Sequence, residues 1–238
     1  MLAAQAGVRY SITHPREYID SNIIGFYNLL EVSTKYKVKH FMFASTSSVY
    51  GDNKKMPLKE NFNTNKPLSL YAATKSSNEA LAHANSNIHK IPTTGLRFFT
   101  VYGPYGRPDM SLFKFTKNII NEVPIELFNK GNHVRDFTYV DDVVTAVSKL
   151  IFKYPNGKIP FDVFNIASSR PRRLKLFLST IEKFLEKKSI QKKLGLQPGD
   201  IYKTHASIDK LKKATNFKPQ NDIIDGINKF IKWYKSYY

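Results

Sequence analysis

The sequence predicts an α/β fold built on a parallel sheet, and two observations carry that expectation. His40–Ala44 reads as a short buried strand of the parallel-sheet type, and Thr93–Val101 and Val163–Ile166 read as further strands. They alternate with segments of helical periodicity at Tyr18–Lys35, Tyr71–His89 and Asp141–Phe152. Strand followed by helix, repeated, is the pattern of parallel strands joined by crossover helices.

Taken in order, Ala3–Gly7 is small and loop-like. Tyr18–Lys35 places Ile19, Ile23, Phe26, Leu29 and Leu30 at helical spacing. His40–Ala44 is the first strand, and Gly51–Leu68 is a loop. A helix free of Gly and Pro then runs from Tyr71 to about His89. Thr93–Val101 is the next strand, closed by the compact loop Gly103-Pro104-Tyr105-Gly106-Arg107-Pro108. Leu112–Asn121 is helical, and Asp136–Val140 leads into the helix Asp141–Phe152. After the strand Val163–Ile166 come helices at Leu174–Leu185, Ile208–Thr215 and Ile223–Tyr234. Internal repeats, low-complexity segments and flexible linkers are absent from the sequence.

The 238 residues suffice for one large domain or two small ones. No apolar run approaches the ~18 residues of a membrane span, and Met1–Gly7 is too short and uncharged for a signal peptide. There is no Cys, hence neither disulfide framework nor thiol nucleophile. The cytoplasm is the default placement, with no membrane partner. The net charge of +18 suits acidic partners, yet most of it is scattered along the chain. The densest cluster, Lys183–Lys193, has no interleaved aromatics to stack bases, so no nucleic-acid partner is expected. The six His are dispersed without metal-ligand spacing. No Gly-x-Ser-x-Gly elbow marks a serine hydrolase.

Chemistry concentrates at Tyr71-Ala72-Ala73-Thr74-Lys75. Residues four apart share a helix face, so Tyr71 and Lys75 reach one ligand. A phenol titrates near ~10 and needs a depressed pKa to act as a base; an ammonium nearby favours phenolate. A drop of ~3 units corresponds to about 4 kcal/mol. Tyr50…Lys54 and Tyr154…Lys158 share the spacing but cross turn residues: Gly51 and Asp52 in one, Pro155 and Gly157 in the other. Only Tyr71…Lys75 lies in a helical segment. Thr46, at the Ser/Thr-rich strand end Ala44–Gly51, is the candidate to orient Tyr71.

Six motifs occur in order: Leu2–Arg9, Ala44–Gly51, Tyr71-x-x-x-Lys75, Arg97–Pro104, Arg135–Asp142 and Gln197-Pro198-Gly199-Asp200. Together they resemble the extended short-chain dehydrogenase/reductases that act on nucleotide sugars, over essentially the whole chain. The resemblance implies a doubly wound Rossmann-type sheet and a smaller C-terminal substrate unit. Residues 1–103 and 132–166 would form the NAD-binding part, and 104–131 and 167–238 the substrate part. In that family a Gly-rich strand–helix turn seats the pyrophosphate. No such run occurs in this sequence, so the resemblance places Met1 some way into the cofactor domain and implies an N-terminally truncated chain.

The implied activity is interconversion of UDP-glucuronate and UDP-galacturonate by transient oxidation at C4 with NAD. Tyr71 would exchange the O4 proton. Lys75 would hold the nicotinamide ribose, and Thr46 would bond O4. Ala3, Ala4, Gln5, Asn22, Ala44, Ser45, Phe98, Thr100 and Val101 would join Tyr71 and Lys75 around the cofactor. Thr46, Ser47, Ser48, Thr100, Arg107, Leu112, Phe113, Phe128, Arg135, Gln197 and Asp200 would meet the UDP-sugar. Ser47 and Ser48 stand where related dehydratases carry an acid/base pair and decarboxylases a Glu, which disfavours both reactions. Arg107 would face the C6 carboxylate with two parallel hydrogen bonds. Arg135 would contact the pyrophosphate and Asp200 the nucleotide ribose. Gln197 replaces an Arg common in relatives, and Thr100 an Asn of galactose epimerases. A homodimer is implied through the helices Tyr18–Lys35 and Tyr71–His89. The alternatives are another NAD-dependent epimerase, dehydratase or decarboxylase of nucleotide sugars, an inactive remnant, or a basic polyanion-binding module.

Overall fold

The structure, a computed structural model, describes residues 1–197 and 199–238. Pro198, within the Gln197–Asp200 motif, lies outside the described residues. The central sheet is parallel, in the order β1 (Phe41–Thr46), β2 (Thr93–Phe98), β7 (Phe161–Ile166). Its register pairs Thr46 with Phe98 and Phe98 with Ile166, so three strand ends lie level. Alternation sends Phe41 and Phe43 to one face, against Phe26, Leu30 and Ala82. Leu96, Phe164 and Ile166 join a second cluster with Val143, Ala146 and Leu150.

On the first face lie α3 (Gly25–Lys35) and α4 (Leu70–His89). Ahead of them come α1 (Tyr10–Thr13), α2 (Pro15–Tyr18) and a π-helical segment over Ile19–Ile24. The helix expected from Tyr18 thus starts at Pro15, as suits a proline at a first turn. The other face carries α6 (Val140–Leu150) and α8 (Asp209–Thr215). Residues 206–217, expected with the substrate part, pack into this second cluster.

The strand expected at Thr93–Val101 divides. The Phe99 N–H still bonds Ile166, but the Thr100 N–H turns to Asp136. From there β3 (Thr100–Tyr102) pairs with β6 (Phe137–Tyr139). Asp136 anchors the junction, accepting from Ser168 N–H and hydroxyl at 3.1 and 2.8 Å and from Ala206 N–H at 3.0 Å.

A third cluster gathers β3 and β6 with α5 (Ser111–Ile120), α7 (Leu174–Leu185) and α9 (Ile223–Tyr237). Phe137 and Phe177 stack at 4.3 Å within it. Gly226 lets α9 approach: a Cβ there would stand 2.5 Å from the Tyr102 hydroxyl and 2.8 Å from the Tyr139 ring. Four short strands had no sequence signal: β4 (Ile125–Leu127) with β9 (Gln191–Lys193), and β5 (Val134–Arg135) with β8 (Arg172–Arg173).

Candidate active site

Ser69 caps α4, its hydroxyl accepting the Ala72 N–H at 3.2 Å, which sets Tyr71 in the first turn. Thr46 ends β1 and caps the 3-10 turn Ser47–Tyr50, accepting the Ser48 N–H at 3.2 Å. The two elements meet at their starts, and Thr46 is placed to act on the Tyr71 hydroxyl. Burial pushes the Tyr71 phenol up; Thr46 and the Arg107 charge pull it down and lose. The depressed phenol expected from the sequence is thus corrected for the protein by itself.

Lys75, the ammonium expected to favour phenolate, is held against the strand end. Its ammonium, 3% exposed, donates to the Ala44 carbonyl at 2.9 Å. Burial lowers its pKa to about 8. An ammonium has three N–H donors, so two remain beside the strand end. A buried donor set with capacity to spare, at the carboxyl ends of parallel strands, fits the nicotinamide ribose of a dinucleotide.

Behind this row lies a polar layer that the sequence reading missed. Arg97 makes a bidentate pair with Glu79, at 2.9 and 2.7 Å, and donates to the Tyr50 hydroxyl at 2.9 Å. Ser45 donates to Glu79 at 2.6 Å. Ser45, expected at the cofactor, is therefore committed to the interior, fixing β1 to α4 one residue from Thr46. Removing one partner of such a pair strands a buried charge, at about 3–5 kcal/mol. A Glu and an Arg 18 positions apart carry no local signal.

Asn22 is likewise corrected. Fully buried in the π-helical segment, it accepts the Gln5 N–H at 2.8 Å and donates to Gln5 O at 2.9 Å and Thr74 at 3.1 Å. With its amide spent, it clamps the Ala4–Gly7 loop to α4 and is not free to meet a cofactor. Tyr18, also missed, donates to the Ala6 and Gly7 carbonyls at 3.0 and 2.6 Å. Its ring lies edge-on to Tyr71 at 6.1 Å, and burial pushes its phenol up to about 12. Gly7 sits at φ +112°, a conformation that favours glycine.

A cleft of about 1610 Å³ opens between this loop and the second unit. Of the residues singled out in the sequence, Ala4, Gln5, Thr100, Arg107, Phe113, Phe128, Arg135 and Asp200 line it. Arg107 links cleft and catalytic row: it lines the cleft, reaches Ala6 O at 3.4 Å and acts on Tyr71. Its guanidinium also pairs with Asp109 at 3.0 and 2.5 Å.

In the same cleft lining, Arg9 and Asp200 pair at 3.0 Å, and Arg9 lies 3.7 Å over the Phe128 ring. Burial, with Arg9 adding to it against the pull of Asp200, brings the Arg135 pKa down to about 10. Two guanidiniums against one carboxylate leave a net positive pocket suited to a pyrophosphate. Arg9 was legible only as the last residue of its motif. His133, 5% exposed and 4.0 Å from Asp200, was not singled out; burial and Arg135 lower its pKa to about 4.

Other expected residues stand apart from the cleft lining. Leu112 is core, 4% exposed. Phe98 and Val101 pack on the second cluster. Gln197 donates to Gly195 O at 3.3 Å and only its backbone meets Asp200. Ala3 is exposed, and Ser47 and Ser48 flank Thr46 half-buried.

The chain is 51% identical over its whole length to Protein CapI of Staphylococcus aureus, covering 75% of that protein. It is 43% identical to a probable UDP-glucuronate 4-epimerase of Rhizobium meliloti (strain 1021), again over the whole chain and 74% of the relative. The fold superposes, with a TM-score of 0.93 at 32% identity, on a crystal structure of UDP-glucuronic acid 4-epimerase from Bacillus cereus in complex with UDP-glucuronic acid and NAD. That match covers 99% of this chain and 74% of the other. Residues 1–167 match the model of the NAD dependent epimerase/dehydratase family. With the Tyr71–Lys75 row at the sheet's carboxyl edge, the match shows that the chain belongs to the NAD-dependent epimerase/dehydratase family and is an enzyme whose hydride carrier is NAD.

Proposed function

We propose that the chain is a UDP-sugar 4-epimerase whose substrate pair is UDP-glucuronate and UDP-galacturonate. The observation that carries the sugar assignment is Arg107, a cation that lines the cleft and acts on the Tyr71 hydroxyl. A neutral hexose has no use for a guanidinium at that place, whereas a C6 carboxylate pairs with it. The identity to a probable UDP-glucuronate 4-epimerase supports the same reading.

NAD, when bound, supplies the acceptor and later the donor of the C4 hydride. Tyr71 takes the O4 proton and returns it after the sugar has turned. Thr46 shortens the proton's path, and Lys75 orients the ribose with its spare N–H groups. Arg9 and Arg135 hold the pyrophosphate. The NAD-binding part is 1–103 and 132–166, and the sugar-nucleotide part is 104–131 and 167–238 apart from α8. The enzyme is a homodimer through the outer faces of α3 and α4, where Tyr27, Val32 and Ile88 are exposed, with Ile24 just ahead of α3.

The test is turnover of UDP-glucuronate against UDP-glucose, each with NAD added. Tyr71→Phe is expected to abolish turnover with folding retained. Arg107→Gln is expected to lower kcat/KM for UDP-glucuronate roughly ten- to hundredfold, the worth of a charged hydrogen bond. Equal turnover of both sugars, or an Arg107→Gln variant unchanged on UDP-glucuronate, would sink the sugar assignment.

A further inference from the structure

An exposed aromatic cluster stands at the last turns of α9, beside the Gly103–Pro108 loop. Tyr105, Tyr237 and Tyr238 are 81%, 64% and 70% exposed. Trp233 joins them, 5.1 Å from the Tyr105 ring and 5.5 Å from Tyr237. None of these four side chains has a role in the site described above. Rings of this size contribute most when buried, so grouping them in water costs free energy that a partner would recover.

Lys229, Lys232 and Lys235 alternate with the aromatics along the same helix. All three are exposed, and none of them pairs with a carboxylate among the described residues. By contrast, Lys187, Lys188 and Lys192, in the densest lysine run of the sequence, pair with Glu122, Glu182 and Glu126. Lys229 bonds the Asn221 side chain and lies over the Tyr139 ring, so Lys232 and Lys235, in the same turns as Trp233 and Tyr237, are the cations left at this end of the helix.

We propose that this face docks peripherally on an anionic membrane surface. Trp and Tyr favour the lipid–water boundary, and Lys beside them reaches anionic headgroups. Each such cation near the surface strengthens binding roughly fivefold. No helix among the described residues is long and apolar enough to cross a membrane, so the contact is interfacial. Two other occupants fit less well. A second copy meeting this patch about a two-fold would set lysines against lysines. A polynucleotide needs open ring faces to stack on. Here Trp233 stacks on Tyr237 and Tyr234 on Tyr238, at 29° and 28°, so one face of each ring is already taken within the cluster.

Trp233 is the only tryptophan in the chain and serves as the probe. The full chain is mixed with vesicles of phosphatidylcholine, with and without phosphatidylglycerol, and assayed by sedimentation and tryptophan emission. Binding to the anionic vesicles, a blue shift and quenching by brominated lipid are expected, all diminished by salt. Lys232→Glu with Lys235→Glu, and separately Tyr237→Ser with Tyr238→Ser, should each weaken binding about tenfold or more. Lys212→Glu with Lys213→Glu, the same charge change on exposed positions of α8, should leave it unchanged. Circular dichroism checks that each variant is folded. Three results would overturn the proposal: no binding to anionic vesicles, binding without tryptophan quenching, or equal loss in the α8 variant. Trp233 emission that responds to a single-stranded oligonucleotide or to self-association, and not to vesicles, would assign the patch to that occupant.

Discussion

Lys75 shows what a single residue costs and does. Its pKa of about 8 lies below the 10.5 of an unperturbed lysine. The unfolded chain therefore binds more protons between these values, and stability rises with pH across that window. Below pH 8 the buried ammonium works against folding. Lys75→Met removes that burden and also the bond to Ala44, which is worth about 1 kcal/mol. The variant should be more stable than the parent at pH 7 by roughly 1–3 kcal/mol, with the gap closing by pH 10.5. Urea denaturation at the two pH values measures it. A parent as stable as Lys75→Met at pH 7 would mean that the ammonium is not desolvated. Tyr71 makes the complementary point: its depressed state is not built into the protein alone, because burial outweighs Thr46 and Arg107.

Among the elements, α9 turns on Gly226. Helix propensity favours Ala over Gly by about 1 kcal/mol at a helix interior. Against that, the new Cβ would meet the Tyr102 and Tyr139 rings at 2.8 Å, and both rings are held in the third cluster. Overpacking of a filled core costs about 1–3 kcal/mol, so sterics win. Gly226→Ala is expected to lower the thermal midpoint; a midpoint raised by the substitution would show that α9 can move away. The strand expected at Thr93–Val101 teaches a related lesson. No Gly, Pro or turn residue follows Gly95 before Val101, so nothing local marks the change of partner at Phe99. The switch is dictated by Asp136, whose carboxylate collects N–H groups from segments 32 and 70 positions away.

For the whole molecule, the central question is what covers its exposed apolar faces. Ile24 at the end of the π-helical segment, Tyr27 and Val32 on α3, and Ile88 on α4 are 48%, 50%, 49% and 68% exposed. Light scattering after size exclusion should give twice the 27.4 kDa chain mass, and Tyr27→Glu should give the monomer. A parent that elutes as a monomer at micromolar concentration would remove this face as the subunit contact.

The sequence by itself determined the alternation of strands and helices, the Tyr71–Lys75 row and Thr46 at its strand end, whereas Arg107 and Arg135 stood out only through the family resemblance of their motifs. These are signals carried by neighbours in the chain: a period of two or 3.6, a cap, a short motif. Only the tertiary structure decided that Ser45 and Asn22 turn inward, that Arg97 and Glu79 hold the row from behind, and that Arg9 lies over Phe128 in the cleft. It also decided the protonation of Tyr71 and Lys75, because desolvation depends on what packs around a group and not on what flanks it in sequence.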